Sequence, residues 1–256
     1  MNSFHESADV ASPTERQLSA GYREFARYAF PPNELGYCGP ADTDALMRGG
    51  SVAELSSRAR EFDGAWPYLS AIADAAGVID PLDAEVVRTY WVGGPLLAAV
   101  DPDELLSRLR SSFTGQVTGL LDELTPGQAQ AHHSFHVFAV YPWVRFLDRD
   151  PGKAVQVMQD CRIRSGTVES LEGDHAVIHS RRLVLTDGTL ALDEPAPERV
   201  RWRKDGISLA PAPVPGQTVS AHWDWLCGSV RDDERDALAT ATQASLDIVN
   251  AARRLR

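Results

Sequence analysis

The chain has 256 residues, 43% of them hydrophobic and 24% charged, with a formal net charge of −11. This is the composition of an ordinary folded protein with room for one large or two modest domains. The acidic balance argues against a nucleic-acid partner, which selects basic patches. No apolar run is long enough to span a bilayer, so no membrane partner is expected either.

Met1 to Ser7 carry neither the basic region nor the apolar core of a secretory signal. Cys38, Cys161 and Cys227 are widely spaced and odd in number, which suits reduced thiols in a cytoplasm better than a disulfide framework. Without a Cys-x-x-Cys pair, a structural zinc knuckle is not expected.

The chain then reads as α+β: an N-terminal all-helical domain, a small antiparallel β-barrel and a C-terminal helix. Residues 1–16 are polar and expected to be flexible, and the helical domain covers 17–160. Its first helix begins near Ser19 and stops at Phe30, ahead of Pro31-Pro32. Two glycines and a proline then frame an aromatic residue and a thiol in Gly36-Tyr37-Cys38-Gly39-Pro40, after which Asp42 or Thr43 caps a short helix. Apolar spacing predicts helix from Val52 to Gly77 with a kink at Pro67. Asp80-Pro81 and Asp101-Pro102 each carry the signal of a helix start. A helical segment is expected over Gln116–Leu124. The run from Ala129 to Leu147 is apolar almost all round, the pattern of a central helix. A short helix over Gly152–Asp160 leads into the barrel.

From 161 to 228, short β-branched runs are split by Gly173-Asp174, Asp187-Gly188, Asp205-Gly206 and Pro215-Gly216. That is hairpin grammar. Seven strands are expected, near 162–170, 175–180, 182–186, 189–192, 199–204, 206–209 and 217–223. Residues 229–256 hold the final amphipathic helix. Such a barrel can bring a thiol on its first strand, Cys161, close to an imidazole on its last, His222.

Histidines recur in the apolar run. His132 and His136 are four apart, and His133 and His136 three apart, spacings that chelate metals when one helix face carries both. Cys38 in its glycine-framed loop is their natural companion. Each residue also has a plain alternative, a hydrogen-bonded core histidine or a small buried thiol. The Gly-x-Ser-x-Gly, phosphate-loop and dinucleotide patterns are missing, so hydrolase and nucleotide-dependent readings find no support.

The segment from Cys161 to about Val249 resembles the HypC-type chaperones of nickel–iron hydrogenase maturation. The matching residues are Cys161, Ile163, Gly166 and Val168, then Gly173-Asp174-His175-Ala176-Val177. Pro215-Gly216-Gln217-Thr218-Val219-Ser220-Ala221-His222 and the acidic stretch Val230 to Arg235 complete them. The sequence departs from the pattern in that Cys161 is internal, Ser165 replaces a proline, Arg162 and Arg164 replace apolar or small residues, and Asp193 to Lys204 reads as an extra hairpin. The helical part, through Phe25 to Pro40 and His132-His133-Ser134-Phe135-His136-Val137, is similar to an uncharacterised actinobacterial family loosely associated with hydrogenase gene neighbourhoods.

The resemblance implies a maturation chaperone rather than an enzyme. Cys161 and His222 would transiently hold iron, as a unit bearing cyanide and carbonyl ligands. The implied partners are the hydrogenase large-subunit precursor or other maturation proteins. Thiolate and neutral imidazole suit low-valent iron. The alternative is a metal-dependent enzyme of non-haem iron type using His132, His133 and His136, with Cys38 beside them.

Overall fold

The computed structural model describes residues 13–41, 46 and 51–255. Helix α1 (Pro13–Glu34) starts inside the segment expected to be flexible and runs through Pro31 and Pro32 instead of stopping at Phe30. The two prolines sit buried in its last turn, where they withhold N–H groups from the carbonyls of Arg27 and Tyr28. The helix expected after Asp42 or Thr43 lies outside the described residues, apart from the buried Leu46.

The single helix expected over Val52–Gly77 is two, α2 (Val52–Arg60) and α3 (Trp66–Ala76). Ser51 and Glu54 form a capping box on α2. Pro67 sits in the first turn of α3, where a missing N–H costs nothing, so it starts a helix rather than kinking one. Helix α4 (Ala84–Val92) is capped by Asp83, not Asp80. Asp80 instead accepts from the Leu82 amide and from the Tyr22 hydroxyl. Helix α5 (Pro102–Ser112) begins where Asp101-Pro102 places it, with the Asp101 carboxylate taking two backbone amides.

Residues 116–124 form turns, not a helix. There the backbone amides of Gly119 and Leu120 donate to the carbonyls of Val140 and Ala139. A Cβ on Gly119 would lie 2.7 Å from two backbone oxygens, so only glycine permits this approach.

The apolar run from Ala129 is also not one helix. It is a helical turn at His133–Phe135, a π-helical segment at His136–Val140 and a 3₁₀ turn at Pro142–Phe146. Pro142 forces Tyr141 into extended geometry (ψ 142°) and ends the helical path. Burial is as the pattern implies, with Phe135, Val137, Phe138 and Ala139 fully enclosed.

Helix α6 (Pro151–Cys161) includes Cys161 as its last residue, so the thiol lies just before the barrel rather than on its first strand. The barrel is closed, in the order β1-β2-β3-β5-β4. It has five strands rather than seven: β1 (Arg164–Glu172), β2 (His175–Thr186), β3 (Thr189–Arg201), β4 (Thr218–His222) and β5 (Trp225–Ser229). The expected break at 180–182 is a bulge in β2, and the expected extra hairpin begins as the continuation of β3. Most pairings are antiparallel, but β3 meets β5 in parallel at Arg201 and Trp225, so the barrel is not wholly antiparallel.

The Asp187-Gly188 turn has both residues at positive φ, as a type I′ hairpin needs. A hairpin at Trp223-Asp224 carries no such signal, because Trp223 itself takes φ +52°. Helix α7 (Asp232–Arg254) closes the chain.

One apolar core runs through the helices and onto the outer face of the barrel, including Trp223, Trp225 and Leu246. A smaller core fills the barrel around Val168, Ile178, Val200 and Leu226. Among the described residues, no helix is long and apolar enough to cross a membrane.

Candidate metal centre

Two helix ends create the centre. The last carbonyls of an α-helix have no intrahelical donor, and the carbonyl of Cys161, at the end of α6, takes the Nε2–H of His133 at 2.9 Å. In α1, Pro32 has no N–H for the carbonyl of Tyr28, four residues earlier. That carbonyl takes the Nδ1–H of His222 at 2.7 Å. Since a carbonyl only accepts, each bond fixes the tautomer of its histidine. His222 is thereby left with a bare Nε2, fully buried and without a hydrogen-bond partner.

These anchors bring a nitrogen of His133, the sulfur of Cys161 and a nitrogen of His222 to within 4.8 Å of one another. All three residues are buried, Cys161 being 8% exposed and His222 not at all. Donors on one tetrahedral ion sit about 3.3–3.8 Å apart given the usual metal–ligand lengths, so an ion held by all three would need the trio to close by up to roughly 1 Å. A buried, lone-pair-bearing nitrogen with no partner is the observation that fits a metal here, and an N,N,S donor set is of the right chemistry. Transition ions of the zinc–cobalt–iron class accept such donors, and the set supplies three ligands and leaves a fourth position open.

The electrostatics favour neutral donors. Burial pushes His222 down to about 3, with the Arg164 guanidinium adding to the effect against the Tyr28 hydrogen bond. Burial also holds His133 well below 6.5, helped by the neighbouring His222 and His136. The Cys161 thiol is driven well above its usual value by burial and by nearby Cys38, so it is protonated at neutral pH until a cation displaces the proton. Arg164 itself is pinned by Glu198 at 2.9 Å and by the carbonyl of Trp223.

A cavity of about 40 Å³ adjoins the trio, walled by Tyr37, Cys38, Gly64, Tyr90, His136 and Tyr141 among others. At 10–15 Å³ per water-sized occupant it holds about three small atoms. Organic substrates need about 300 Å³ or more. The room suffices for an ion with one or two small ligands.

The other expected residues separate into two groups. His136 and Cys38 line this cavity but stand outside the trio. Nδ1 of His136 lies 3.3 Å from the Tyr68 hydroxyl, its Nε2 faces Gly64, and burial lowers it to about 4. Cys38 is exposed, although the protein packed around its sulfur raises the thiol towards about 12.

His132 does not share a helix face with His136. It caps the helical turn, accepting from the Ser134 amide at 3.0 Å, and faces a separate cleft beside α7. Cys227 is buried in the core. His179 is exposed and pairs with Glu169. His133 was visible from the sequence only as one of three clustered histidines. The signals that could have singled it out are the Pro142 break and the free carbonyl at the end of α6.

The fold and site together define a helical protein with an attached five-stranded barrel and a buried His–Cys–His centre between them. Residues 17–256 match the family of unknown function DUF6390, and the chain belongs to that family. No curated protein and no solved structure matches it significantly.

Proposed function

We propose that this protein holds iron for the assembly of a nickel–iron hydrogenase, carrying the metal on Cys161, His222 and His133. The single observation behind this is the convergence of those three donors. Two of them, Cys161 and His222, are the positions to which the HypC-type resemblance assigns iron. His133 would be a contribution of the helical domain. The cavity, at about 40 Å³, takes an ion with about one diatomic ligand such as cyanide or carbon monoxide and is too small for an organic substrate, so an iron bearing more such ligands would need the loop around Cys38 to give way.

In this reading the chain turns nothing over. His222 would offer its bare Nε2 and His133 its Nδ1, which the Tyr90 hydroxyl 3.0 Å away must first release; Cys161 would give up its proton as sulfur meets the metal, and the aromatic walls would keep water away. The cargo then passes to the large-subunit precursor or to another maturation protein. The test is an anaerobic pull-down from cells making hydrogenase, with infrared detection of cyanide and carbonyl stretches on the captured chain. Those bands should vanish in Cys161→Ala and His222→Ala. Normal hydrogenase maturation in cells carrying Cys161→Ala would sink the reading.

One observation favours a second reading, a resident metal in an enzyme of non-haem iron type. The trio is buried more deeply than a hand-over site needs. Stoichiometric metal that survives extended dialysis against a chelator, with no transfer to a hydrogenase precursor, would select it.

A further inference from the structure

Three donors leave a tetrahedral ion one ligand short, and the wall of the cavity offers two more donor residues, His136 and Cys38. His136 has Nδ1 within reach of the Tyr68 hydroxyl and Nε2 pressed towards Gly64. Cys38 lies in the loop after α1, flanked by Gly36 at φ +72° and Gly39 at φ +83°. Asn33 ties the loop at its base, donating to the carbonyls of Cys38 and Pro40. Its aromatic neighbour Tyr37 packs on Trp223, the residue after His222, with ring centroids 4.2 Å apart. The loop therefore roofs the cavity and sets the Cys38 sulfur in its wall, while the residue as a whole stays exposed.

We infer that Cys38 is the fourth metal ligand, its side chain turning from the cavity wall onto an ion that settles on His133, Cys161 and His222, and turning away when the ion leaves. This deepens the metal-holding reading and rests on it. The independent support is the bare Nε2 of His222, which marks the cavity bounded by Cys38 as lacking an electrophile. Each thiol that binds exchanges its S–H bond for a sulfur–metal bond and gives its proton to water, and no electrons move. The closed site is a two-nitrogen, two-sulfur set suited to divalent cobalt, zinc or iron. With Cys38 withdrawn, an incoming partner thiolate can take its place without the ion ever becoming bare, which answers the burial of the trio.

The test titrates Co²⁺ into the full chain at pH 7, following thiolate-to-cobalt absorption and proton release by calorimetry in two buffers. Both thiols are protonated at that pH and the histidines already neutral, so the wild type should release two protons per Co²⁺. Cys38→Ala should release one and lose about half the charge-transfer intensity, one of the two cobalt–sulfur bonds being gone. Cys38 lies outside the apolar core, so that variant keeps its core. Identical spectra and proton counts in wild type and Cys38→Ala would overturn the inference while leaving the trio standing. No Co²⁺ uptake by the wild type would overturn both.

Discussion

Pro32 and His222 are linked through one oxygen. The proline denies the Tyr28 carbonyl its helical donor, and the imidazole occupies it at 2.7 Å. A helix defect in α1 thus sets the orientation and tautomer of a candidate ligand on β4. Outer hydrogen bonds of this kind orient metal-binding histidines and are worth about 10–100-fold in affinity. Pro32→Ala returns an N–H to the helix and competes for the carbonyl. The expected outcome is an unchanged fold with Co²⁺ or Zn²⁺ binding weaker by about 10-fold or more, measured against a competing chelator. The Nδ1–H resonance of His222 should also broaden or vanish. Full affinity in the variant would show that the Tyr28 carbonyl does not matter.

Acid should unfold this protein early. His132 and His136 are lowered to about 4, His222 to about 3, and His133 well below 6.5, each chiefly by burial. Their folded values lie under the unfolded one, so between them the unfolded chain binds more protons. Stability is then complete above about pH 6.5 and falls as the pH drops towards 4. Each imidazole contributes a slope of up to about 1.4 kcal/mol per pH unit. Four together reach about 5 kcal/mol per unit, against a total stability of about 5–15 kcal/mol. Circular dichroism should show unfolding near pH 5, and His132→Gln should make the transition shallower. A fold unchanged from pH 7 to pH 4 would contradict the burial of these rings.

Local chemistry made part of this legible in advance. Gly173-Asp174 and Asp187-Gly188 turn where their side chains and φ freedom allow, and Asp101-Pro102 starts a helix because aspartate takes the free amides. What a window of sequence misses is decided at a distance. The bulge in β2 reads as a chain break, since its two halves are joined only by pairing with β3. Trp223 occupies a turn position that favours glycine, and its packing on Tyr37, the bond from its amide to the Asp160 carbonyl and the Arg164 guanidinium on its own carbonyl hold it there. His133 joins the site through a carbonyl on another helix. Tyr28 and Pro32 carry no metal chemistry at all, so nothing marks them until the fold brings β4 against α1.

Gly64 is needed for room rather than for conformation. A Cβ there would sit 2.9 Å from Nε2 of His136, whose ring is confined between Tyr68 and Tyr141. Gly64→Ala should therefore cost about 1–3 kcal/mol through overpacking. It should also push His136 into a cavity that has only about 40 Å³. The expected signature is a lowered urea midpoint together with slowed metal uptake. Destabilisation without any change in uptake would place the metal elsewhere.

Arg88 tests whether the centre depends on the frame around it. Its guanidinium holds Glu234 of α7 at 2.8 Å, Glu24 of α1 at 2.5 Å, the Tyr28 hydroxyl at 3.1 Å and the Ser229 carbonyl at 3.0 Å. It therefore ties α4 to α1, α7 and β5. Removing one partner of a mostly buried pair costs about 3–5 kcal/mol because the remaining charges lose their compensation. Here Arg27 and Arg231 still reach the two carboxylates at 2.8 Å, so the lower end applies. Arg88→Met should lose about 3 kcal/mol in urea denaturation at pH 7. Burial alone would raise Glu234, but its hydrogen bond to Arg88 wins and holds it below 4.5. That stabilisation is fully present above 4.5, so the gap between variant and wild type should stay constant across the range from pH 7 down to the acid transition near pH 5. Since Tyr28 carries the carbonyl that orients His222, the same variant should also bind Co²⁺ more weakly. Undiminished affinity alongside the full stability loss would mean that the site holds its shape independently of this network.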